Sequence, residues 1–165
     1  MTRLVESTCH DPWCNLAYEE HLFETSPAGT LTILLWRNAP SVVIGRHQNP
    51  WTECRVDAMQ RDGVHFVRRA SGDGAVWHDL GNWNVSFVTD RPAYSVPRQL
   101  GLLIDALASL GVTAEASPRN DVLVDGLKVS GSAYRGRGSR WLHHATLLVS
   151  ADLARLRHYL APPPA

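Results

Sequence analysis

Several features that define whole classes of protein are scarce in this 165-residue chain. Its three cysteines are an odd number without a C-x-x-C spacing, which argues against a disulfide framework or a zinc site and favours reduced thiols. No apolar run reaches the roughly 18 residues of a membrane span, and the N-terminal sequence resembles neither a signal peptide nor a transit segment. The formal net charge is +0, so no overall field attracts nucleic acid or an anionic membrane. We therefore expect a soluble, intracellular protein that binds neither nucleic acid nor a membrane.

Lysine is the scarcest of the charged residue types. The 16 basic side chains comprise fifteen arginines and a single lysine, Lys128. Either residue solvates a surface well, but a lysine ammonium is a compact charge with three rotatable donors that arginine does not reproduce. Composition alone is equally compatible with chance survival and with a specific function, so the surroundings of Lys128 must decide.

The chain has no internal repeat, low-complexity tract or long charge run. Its 44% hydrophobic content is enough for one compact core, so we predict a single domain over residues 1–165. The proline-rich residues 161–165 are its only compositional break. Helical and strand patterns are mixed without a regular βαβ rhythm, which predicts an α+β fold with a mixed, largely antiparallel sheet and flanking helices.

Helices are predicted where a capping residue precedes apolar residues at helical spacing. The predicted helices run from Asn15 to Glu24, from Asn49 to Gly63, from Ser95 to Gly111 and from Ala151 to Leu160.

Strands are predicted at short β-branched or alternating runs. The predicted strands are residues 31–36, 41–45, 64–69, 83–88, 112–116, 122–124, 127–130 and 142–149. Residues 38–40 predict a hairpin-like connection between the first two. The pair Asp125-Gly126 predicts a tight turn, which places Lys128 on the outgoing strand of a hairpin.

A glycine-containing loop follows two arginines at the predicted strand end. Residues 68–79 read RRASGDGAVWHD, with Arg68 and Arg69 before the loop and His78-Asp79 after it. Guanidinium groups beside accessible backbone N–H groups suit a phosphate or a carboxylate. The alternative is a simple tight turn. The arginine pair and the polar His78-Asp79 step favour the anion-binding loop over that alternative.

The second candidate segment, residues 119–131, contains the lone lysine. Arg119, Asp121 and Lys128 are placed to converge across the hairpin, and strand periodicity puts Lys128 and Ser130 on one face. Gly131 leaves the backbone beside the lysine open. These features favour a functional lysine over a solvated one.

Other polar residues are interpreted as structural. His143 and His144 are neighbours on a predicted strand, so they point to opposite faces and do not share a metal ion. Cys54 lies in a first helical turn without a histidine base, which indicates a structural thiol. An arginine-rich exposed turn accounts for residues 136–141. No metal site is predicted.

Taken together, the motifs resemble the lipoate-protein ligase and lipoyltransferase family of biotin/lipoate ligase catalytic domains. That family carries Arg-Arg-x-Ser-Gly-Gly-Gly, then His-Asp, then Asn-Asp ahead of Gly-x-Lys-x-Ser-Gly. The matching residues here are 68–74, 78–79 with 81–82, and 120–121 ahead of 128–131. Residues 41–51, SVVIGRHQNPW, are most similar to the eukaryotic mitochondrial lipoyltransferase branch.

The resemblance implies a site for lipoyl-AMP, with the acyl chain in an apolar tunnel and the adenylate against the glycine loop. It assigns Lys128 as the catalytic residue, contacting the phosphate and carbonyl oxygens. The other residues that it implies for lipoyl-AMP binding are Arg69, Ser71, Gly72, Gly74, Trp77, His78, Arg119, Asp121 and Thr146. Of these, Arg119 is a second anion contact, Ser71, Gly72 and Gly74 are loop donors, and Trp77 and Thr146 are pocket walls.

Two departures from the family pattern concern the loop and the C-terminus. Asp73 stands where the pattern has glycine, which predicts a positive φ at this residue and a negative charge beside the adenylate. The family also continues beyond the point where this chain ends, so the resemblance implies a C-terminally short catalytic domain.

The leading hypothesis is a monomeric lipoyltransferase that moves the lipoyl group from lipoyl-AMP to a lysine of a lipoyl-domain protein. The acceptors implied are the E2 subunits of 2-oxoacid dehydrogenases and the glycine cleavage H protein. The resemblance implies a mitochondrial location, or a cytoplasmic one in a bacterium. Three alternatives stay open: a full lipoate-protein ligase that uses ATP and Mg²⁺, an octanoyltransferase with Cys54 as nucleophile, and a catalytically impaired lipoyl-AMP-binding remnant.

Overall fold

The computed structural model describes residues 1–160, so the proline-rich end lies outside the described residues. The strands are β1 (Thr2–Glu6), β2 (Leu31–Trp36), β3 (Ser41–Ile44), β4 (His65–Arg68), β5 (Val76–His78), β6 (Asn82–Asp90), β7 (Glu115–Ala116), β8 (Val122–Val124), β9 (Leu127–Ser130), β10 (Ser132–Arg137) and β11 (Arg140–Leu148). The helices are α1 (Pro12–Thr25), α2 (Pro50–Glu53), α3 (Val56–Arg61), α4 (Val96–Ser109) and α5 (Leu153–Tyr159), with a 3₁₀ turn at Arg91–Ala93.

The strands form three sheets. The largest has the order β1-β2-β6-β11-β10, and two three-stranded sheets have the orders β4-β3-β5 and β7-β8-β9. Only the β1–β2 and β3–β4 pairs are parallel among the described residues. This arrangement confirms the predicted α+β class with mixed, largely antiparallel pairing and flanking helices.

Side-chain alternation places a helix on each face of the five-stranded sheet. On β2, Leu34 and Trp36 pack with Leu22 of α1, whereas Ile33 and its alternating neighbours pack with Leu100 of α4. The two helices therefore cover opposite faces, as the period of two along a strand requires. Burial of both faces explains why β2 reads as a nearly continuous apolar run.

A separate core lies beneath the small sheet β4-β3-β5. Val42, Ile44 and Trp77 from that sheet pack with Met59 of α3 and Tyr159 of α5. The Trp77 and Tyr159 rings are stacked with centroids 5.2 Å apart. This packing positions β5 and the segment before it, residues 69–75, which carries the glycine loop.

Two predicted turn signals are confirmed by backbone geometry. Asp125 and Gly126 have φ values of 51° and 75°, and they join β8 to β9 as an antiparallel hairpin. Ser95 caps α4 by accepting a hydrogen bond from the Arg98 N–H, and Gly111 follows the helix with φ 82°. Both turns need the left-handed geometry that Gly and Asp tolerate well.

The predicted start of the first helix is wrong. Asp11 caps α1, with its side chain accepting from the Cys14 N–H, and Pro12 occupies the first helical position. Proline is favoured there because its missing N–H would be unpaired in any case. Asn15 is instead fully buried within the helix.

The long helix predicted between Asn49 and Gly63 is also wrong, although Asn49 does cap α2. The segment forms two short helices, and Cys54 between them is extended and pairs with Leu160 as an isolated β-bridge. Gly63 adopts φ 65° just after α3.

The predicted single sheet and the hairpin at residues 38–40 are corrected as well. Strands β2 and β3 lie in different sheets, so the connection between them is a crossing from one sheet to the other. Strands β1, β5 and β10 were not predicted. None of the helices in residues 1–160 has both the length and the apolar character needed to cross a membrane.

Candidate functional site

A largely apolar cavity of about 290 Å³ lies where the sheets meet. The five-stranded sheet contributes residues of β2, β6, β10 and β11, while β5 and the loop before it contribute a second wall. Leu156 and Leu160 add apolar surface, and Lys128 and Ser130 of β9 complete the lining. The predicted loop and the predicted lysine hairpin therefore reach one cavity, although they are far apart in the sequence.

The sheet register separates the cavity into two ends. Thr146 on β11 pairs with Asn84 on β6, which pairs with Trp36 on β2. On the other side, the Thr146 N–H donates to the carbonyl of Gly131 at 2.9 Å, next to β9. Three inter-strand steps thus separate the Gly131 side from Trp36, a span of roughly 14 Å at about 4.8 Å per step. Lys128 lies at the first end.

Arg69 holds the glycine loop from inside. Its Nη2 donates to the carbonyls of Gly72 at 2.6 Å and Gly74 at 2.8 Å, and its Nη1 donates to the Val43 carbonyl at 3.1 Å. The residue is only 5% exposed. Burial lowers the pKa of Arg69, and the nearby Asp73 charge opposes that shift. Most of the guanidinium donors are therefore committed to the loop.

Arg68 holds the neighbouring turn in the same way, by hydrogen bonds to backbone carbonyls. Its Nη1 donates to the carbonyls of Gly45, Arg46 and Gln48 at 2.8 to 3.1 Å. A Cβ at Gly45 would lie 1.8 Å from the Asp73 carbonyl oxygen, so the two loops touch where only glycine fits. The arginine pair shapes the two loops in this structure.

Asp73 has φ 73°, which confirms the positive φ predicted for this residue. The residue also lines the cavity. Aspartate adopts this region at lower cost than most residues with a Cβ, so the loop keeps its shape without a third glycine.

A buried polar network supports the loop from α1. The Arg69 Nε donates to the Ser71 hydroxyl at 3.1 Å, and that hydroxyl lies 2.7 Å from His144 Nε2. The other ring nitrogen of His144 lies 2.9 Å from a Glu19 carboxylate oxygen. Ser71 is therefore held between an arginine and a histidine.

Glu19 anchors this network although it is almost fully buried. Burial by itself raises the pKa of Glu19, but the adjacent His144 ring and the donated Ser86 hydroxyl bring it below its usual value. The Trp36 indole N–H donates in turn to Ser86 at 2.8 Å. The lowered pKa favours the carboxylate form, and its contacts with the Ser86 hydroxyl and the His144 ring supply the hydrogen-bond partners that a buried charge requires.

His78 lies at the Trp36 end of the cavity. Its Nδ1 is 3.1 Å from Asn38 Nδ2, and its ring meets the Trp36 ring edge-on at 5.9 Å. Burial, with a contribution from the Arg69 charge, lowers the pKa of His78 to about 3. The imidazole is therefore neutral at physiological pH.

Lys128 is held by one ion pair. Its Nζ lies 2.9 Å from an Asp121 carboxylate oxygen, and the lysine side chain is 57% exposed. A Cβ at Gly131 would lie 3.2 Å from Lys128 Cε, so this glycine leaves space for the lysine side chain. Lys128 and Ser130 both line the cavity, as expected for two residues on one strand face.

The residues predicted for the site fall into three groups by position. The cavity lining includes Arg69, Trp77, His78, Lys128 and Thr146. A second group contacts these lining residues without lining the cavity itself. Hydrogen bonds from Arg69 hold Ser71, Gly72 and Gly74, and an ion pair joins Lys128 to Asp121. Arg119 is exposed, and the structure does not bring it to the cavity lining.

The side chains interpreted as structural have partners outside the lysine end. His143 and His144 point to opposite sides, with His143 Nδ1 2.9 Å from Gln99 Oε1. Burial, chiefly, and the neighbouring Glu53 charge raise the pKa of the Cys54 thiol to about 11. Within residues 1–160, no group of three His, Cys, Asp or Glu side chains is arranged to hold a metal ion.

Sequence reasoning missed the network residues Glu19, Ser86, Asn15 and Asn38. The one available signal was the pair of acidic residues inside a predicted helix at positions 19 and 20. That signal alone is also compatible with a solvated helix face, so it does not locate a buried carboxylate.

The cavity is thus largely apolar, with a lysine ammonium at one end and buried polar side chains, among them His78, at the other. The family model for the lipoyl protein ligase A/B catalytic domain matches residues 11–165, and the chain belongs to this family. The resemblance noted in the sequence is therefore confirmed at the level of the family.

Solved structures of similar proteins agree. P. falciparum LipL1, solved in complex with lipoate, superposes with a TM-score of 0.92 at 29% identity, covering 100% of this chain and 53% of that chain. A bipartite lipoate protein ligase from Thermoplasma acidophilum, studied with its E2 lipoyl domain, gives 0.86 at 30% identity, covering 99% and 67%. A lipoate-protein ligase A bound with ATP gives 0.86 at 29% identity, covering 98% and 72%. The present chain thus spans about half the length of LipL1.

Proposed function

We propose that the protein transfers a lipoyl group from lipoyl-AMP to a lysine of a lipoyl-domain protein. The observation that carries the proposal is the position of Lys128, the chain's single lysine, at one end of an apolar cavity whose other end is closed by Trp36 and His78. The acyl chain fits the apolar part, and the reacting carbonyl and phosphate then lie beside the ammonium. Lipoate bound to LipL1 supports the choice of acyl group.

The chemistry asks little of the protein beyond orientation and charge stabilisation. Lipoyl-AMP is a mixed anhydride, so the acceptor amine attacks its carbonyl carbon, the bond from that carbon to the phosphate oxygen breaks, and AMP leaves. The amine gives up a proton as the amide forms. Lys128 stabilises negative charge on the carbonyl and phosphate oxygens, a contribution that is worth about 3 kcal/mol in comparable sites.

A full ligase, which first makes lipoyl-AMP from lipoate and ATP, is the nearest alternative. A similar ligase bound with ATP favours it. Incubation of the protein with lipoate, ATP and Mg²⁺ separates the two activities, because only a full ligase releases pyrophosphate and forms lipoyl-AMP.

A cysteine-dependent octanoyltransferase is disfavoured. Cys54 is buried, its thiol is protonated at neutral pH, and it does not line the cavity. A thiolate is needed for nucleophilic attack. The Cys54→Ala variant is therefore expected to retain transfer activity.

A lipoyl-AMP-binding remnant is the remaining alternative, and Asp73 is the residue that motivates it. Its backbone holds the loop geometry, so only its charge beside the adenylate argues against turnover. Binding of lipoyl-AMP without transfer, together with recovery of transfer in Asp73→Gly, would identify the aspartate as the cause.

The proposed acceptors are lipoyl domains of E2 subunits of 2-oxoacid dehydrogenases and the glycine cleavage H protein. One similar ligase was studied with its E2 lipoyl domain, which supports the first of these. The monomeric state and the mitochondrial location stay predictions.

Transfer from synthetic lipoyl-AMP to a purified apo lipoyl domain tests the proposal, with the acceptor followed by intact-mass spectrometry. A mass gain of one lipoyl group, absent with Lys128→Ala, is expected. The matched control is Arg98→Ala, which removes an exposed cation that does not line the cavity. The proposal is wrong if wild-type protein at high concentration gives no gain.

A further inference from the structure

Two buried polar atoms lack a hydrogen-bond partner at the Trp36 end of the cavity. They are His78 Nε2 and Asn82 Oδ1, both unpaired within residues 1–160, and both residues line the cavity. His78 is 3% exposed and Asn82 is fully buried. An unpaired buried donor or acceptor costs free energy, so such groups commonly mark a place where a ligand completes the bonding.

A chain of amide groups determines which nitrogen of His78 carries the proton. Asn15 Nδ2 donates to the backbone carbonyls of Cys9 at 3.0 Å and Arg37 at 2.9 Å, so the orientation of this amide is set by backbone. The same nitrogen lies 2.9 Å from Asn38 Oδ1. The oxygen of Asn38 therefore faces Asn15, and its amide nitrogen faces His78.

The tautomer of His78 follows from that orientation. An amide nitrogen only donates, so His78 Nδ1 must accept the bond from Asn38 Nδ2. A neutral imidazole that accepts at Nδ1 carries its proton on Nε2. The unpaired Nε2 is thus an N–H donor at the closed end of the cavity.

Asn82 is oriented by a second chain of amides. The Asn84 Nδ2 donates to the Trp36 carbonyl at 3.4 Å, and the Asn82 Nδ2 donates to Asn84 Oδ1 at 3.3 Å. The remaining Asn82 oxygen is left as an acceptor. The end of the cavity opposite Lys128 is therefore polar, although most of the lining is apolar.

We propose that Asn15 and Asn38 are positioning residues that hold His78 as the Nε2–H tautomer, and that this N–H selects an acyl group with a polarisable, sulfur-containing end over a straight-chain acyl group. This inference rests on the proposed function, because it takes the carboxyl end of the acyl group to lie at Lys128. The end remote from the carboxyl then lies against Trp36 and His78.

The selection has a simple physical basis. A ring sulfur is a weak hydrogen-bond acceptor and packs favourably against an aromatic ring such as Trp36. A terminal methyl group offers no acceptor, so its binding leaves the buried His78 N–H unpaired. Lipoate is therefore expected to bind more tightly than octanoate, a chain of the same length without sulfur.

Paired substitutions at His78 test this donor directly. His78→Asn retains an acceptor for Asn38 but loses the donor that reaches the cavity, whereas His78→Gln places an amide N–H near the position of Nε2. We expect the ratio of the dissociation constants for octanoate and lipoate, measured by titration calorimetry, to fall about 3- to 10-fold in His78→Asn. His78→Gln is expected to restore much of it. An unchanged ratio in His78→Asn would overturn the inference.

The tautomer itself is read by imidazole ¹⁵N NMR of the free protein, which needs no ligand or turnover. The wild type is expected to show protonation at Nε2, and Asn38→Asp to move the proton to Nδ1, because a carboxylate accepts where the amide donated. A wild-type signal from the Nδ1–H form would overturn the inference. Transfer from lipoyl-AMP together with equal affinities for lipoate and octanoate overturns the inference alone, whereas no transfer from lipoyl-AMP overturns the proposed function as well.

Discussion

The two ends of the cavity are built differently. At the Trp36 end, Glu19, Arg69, His78 and their partners are buried and bonded to one another. At the other end, Lys128 is more than half exposed and has one ion pair, on β9 of the three-stranded sheet β7-β8-β9. Under the proposed function, the buried and hydrogen-bonded end suits recognition of an acyl group, and the accessible charge suits a reaction at which a second protein must arrive.

The difference arises from what each end packs against. The Trp36 end lies between the five-stranded sheet and α1, where each polar group needs an internal partner because water is excluded. The lysine hairpin contributes Val122 to the core beneath α4, while Leu127 near its tip is 72% exposed. Substitutions at the lysine end should therefore impair catalysis, whereas substitutions at the Trp36 end should impair folding.

The largest effect is expected from Lys128→Ala. Removing a preorganised charge is expected to lower the transfer rate from lipoyl-AMP by about 10²- to 10³-fold, with the thermal midpoint of unfolding nearly unchanged. Lys128→Arg should recover only part of the rate, because a planar fork does not replace a compact ammonium. A rate in Lys128→Ala close to that of Arg98→Ala would show that the exposed end is not the reacting end.

Arg69→Ala should instead destabilise the buried Trp36 end of the cavity. It leaves the carbonyls of Val43, Gly72 and Gly74 without their donor, and we expect the free energy of unfolding to fall by about 3 kcal/mol. Urea denaturation measures the change, again with Arg98→Ala as the matched arginine control. A loss below about 0.5 kcal/mol would mean that the loop holds its shape without the guanidinium.

Acid should destabilise the fold through two buried neutral histidines, His78 at the Trp36 end and His143 on the opposite face of the five-stranded sheet, beside Gln99 of α4. Burial lowers the pKa of both His78 and His143 to about 3, so the unfolded chain binds more protons than the folded one below its pKa of about 6.5. Stability is therefore full above that value and falls as the pH is lowered toward 3. Between pH 7.5 and 5.5 we expect a loss of about 3 kcal/mol in the free energy of unfolding.

Urea denaturation at several pH values checks this dependence. His143→Gln keeps an amide at the site and should remove about half of the slope, since one of the two depressed pKa values is gone. Stability that rises on acidification would contradict the assignment of His78 and His143 as neutral side chains.

The smallest effect is expected from Asp121→Asn. The Lys128–Asp121 pair is partly exposed, so its loss should cost well under about 1 kcal/mol of stability. The lysine would be less well positioned, and a roughly 3-fold fall in transfer rate is expected. Steady-state kinetics with saturating lipoyl-AMP measure this transfer rate. A fall as large as that of Lys128→Ala would show that Asp121 contributes as much to the reaction as Lys128 does.

Local patterns predicted much of the fold, and the reason is visible in particular elements. Residues 31–36 form a strand with the predicted bounds, and Asp125-Gly126 forms the predicted turn, because both depend on neighbours in sequence. Asn15 shows the opposite case. It has the chemistry of a helix cap, but Asp11 and Pro12 begin the helix and Asn15 is buried against Asn38.

The sequence by itself determined the family, the motifs and the two segments that meet in the cavity, since residue type and spacing carry those signals. Only the tertiary structure decided that Arg68 and Arg69 bond the loops, that Arg119 lies apart from the cavity lining and that Asn38 contacts His78 Nδ1 while Nε2 is left unpaired within residues 1–160. Glu19 and His144, 125 positions apart, meet because β11 and α1 pack together. Such pairings depend on which faces are buried against each other, and no local period encodes that.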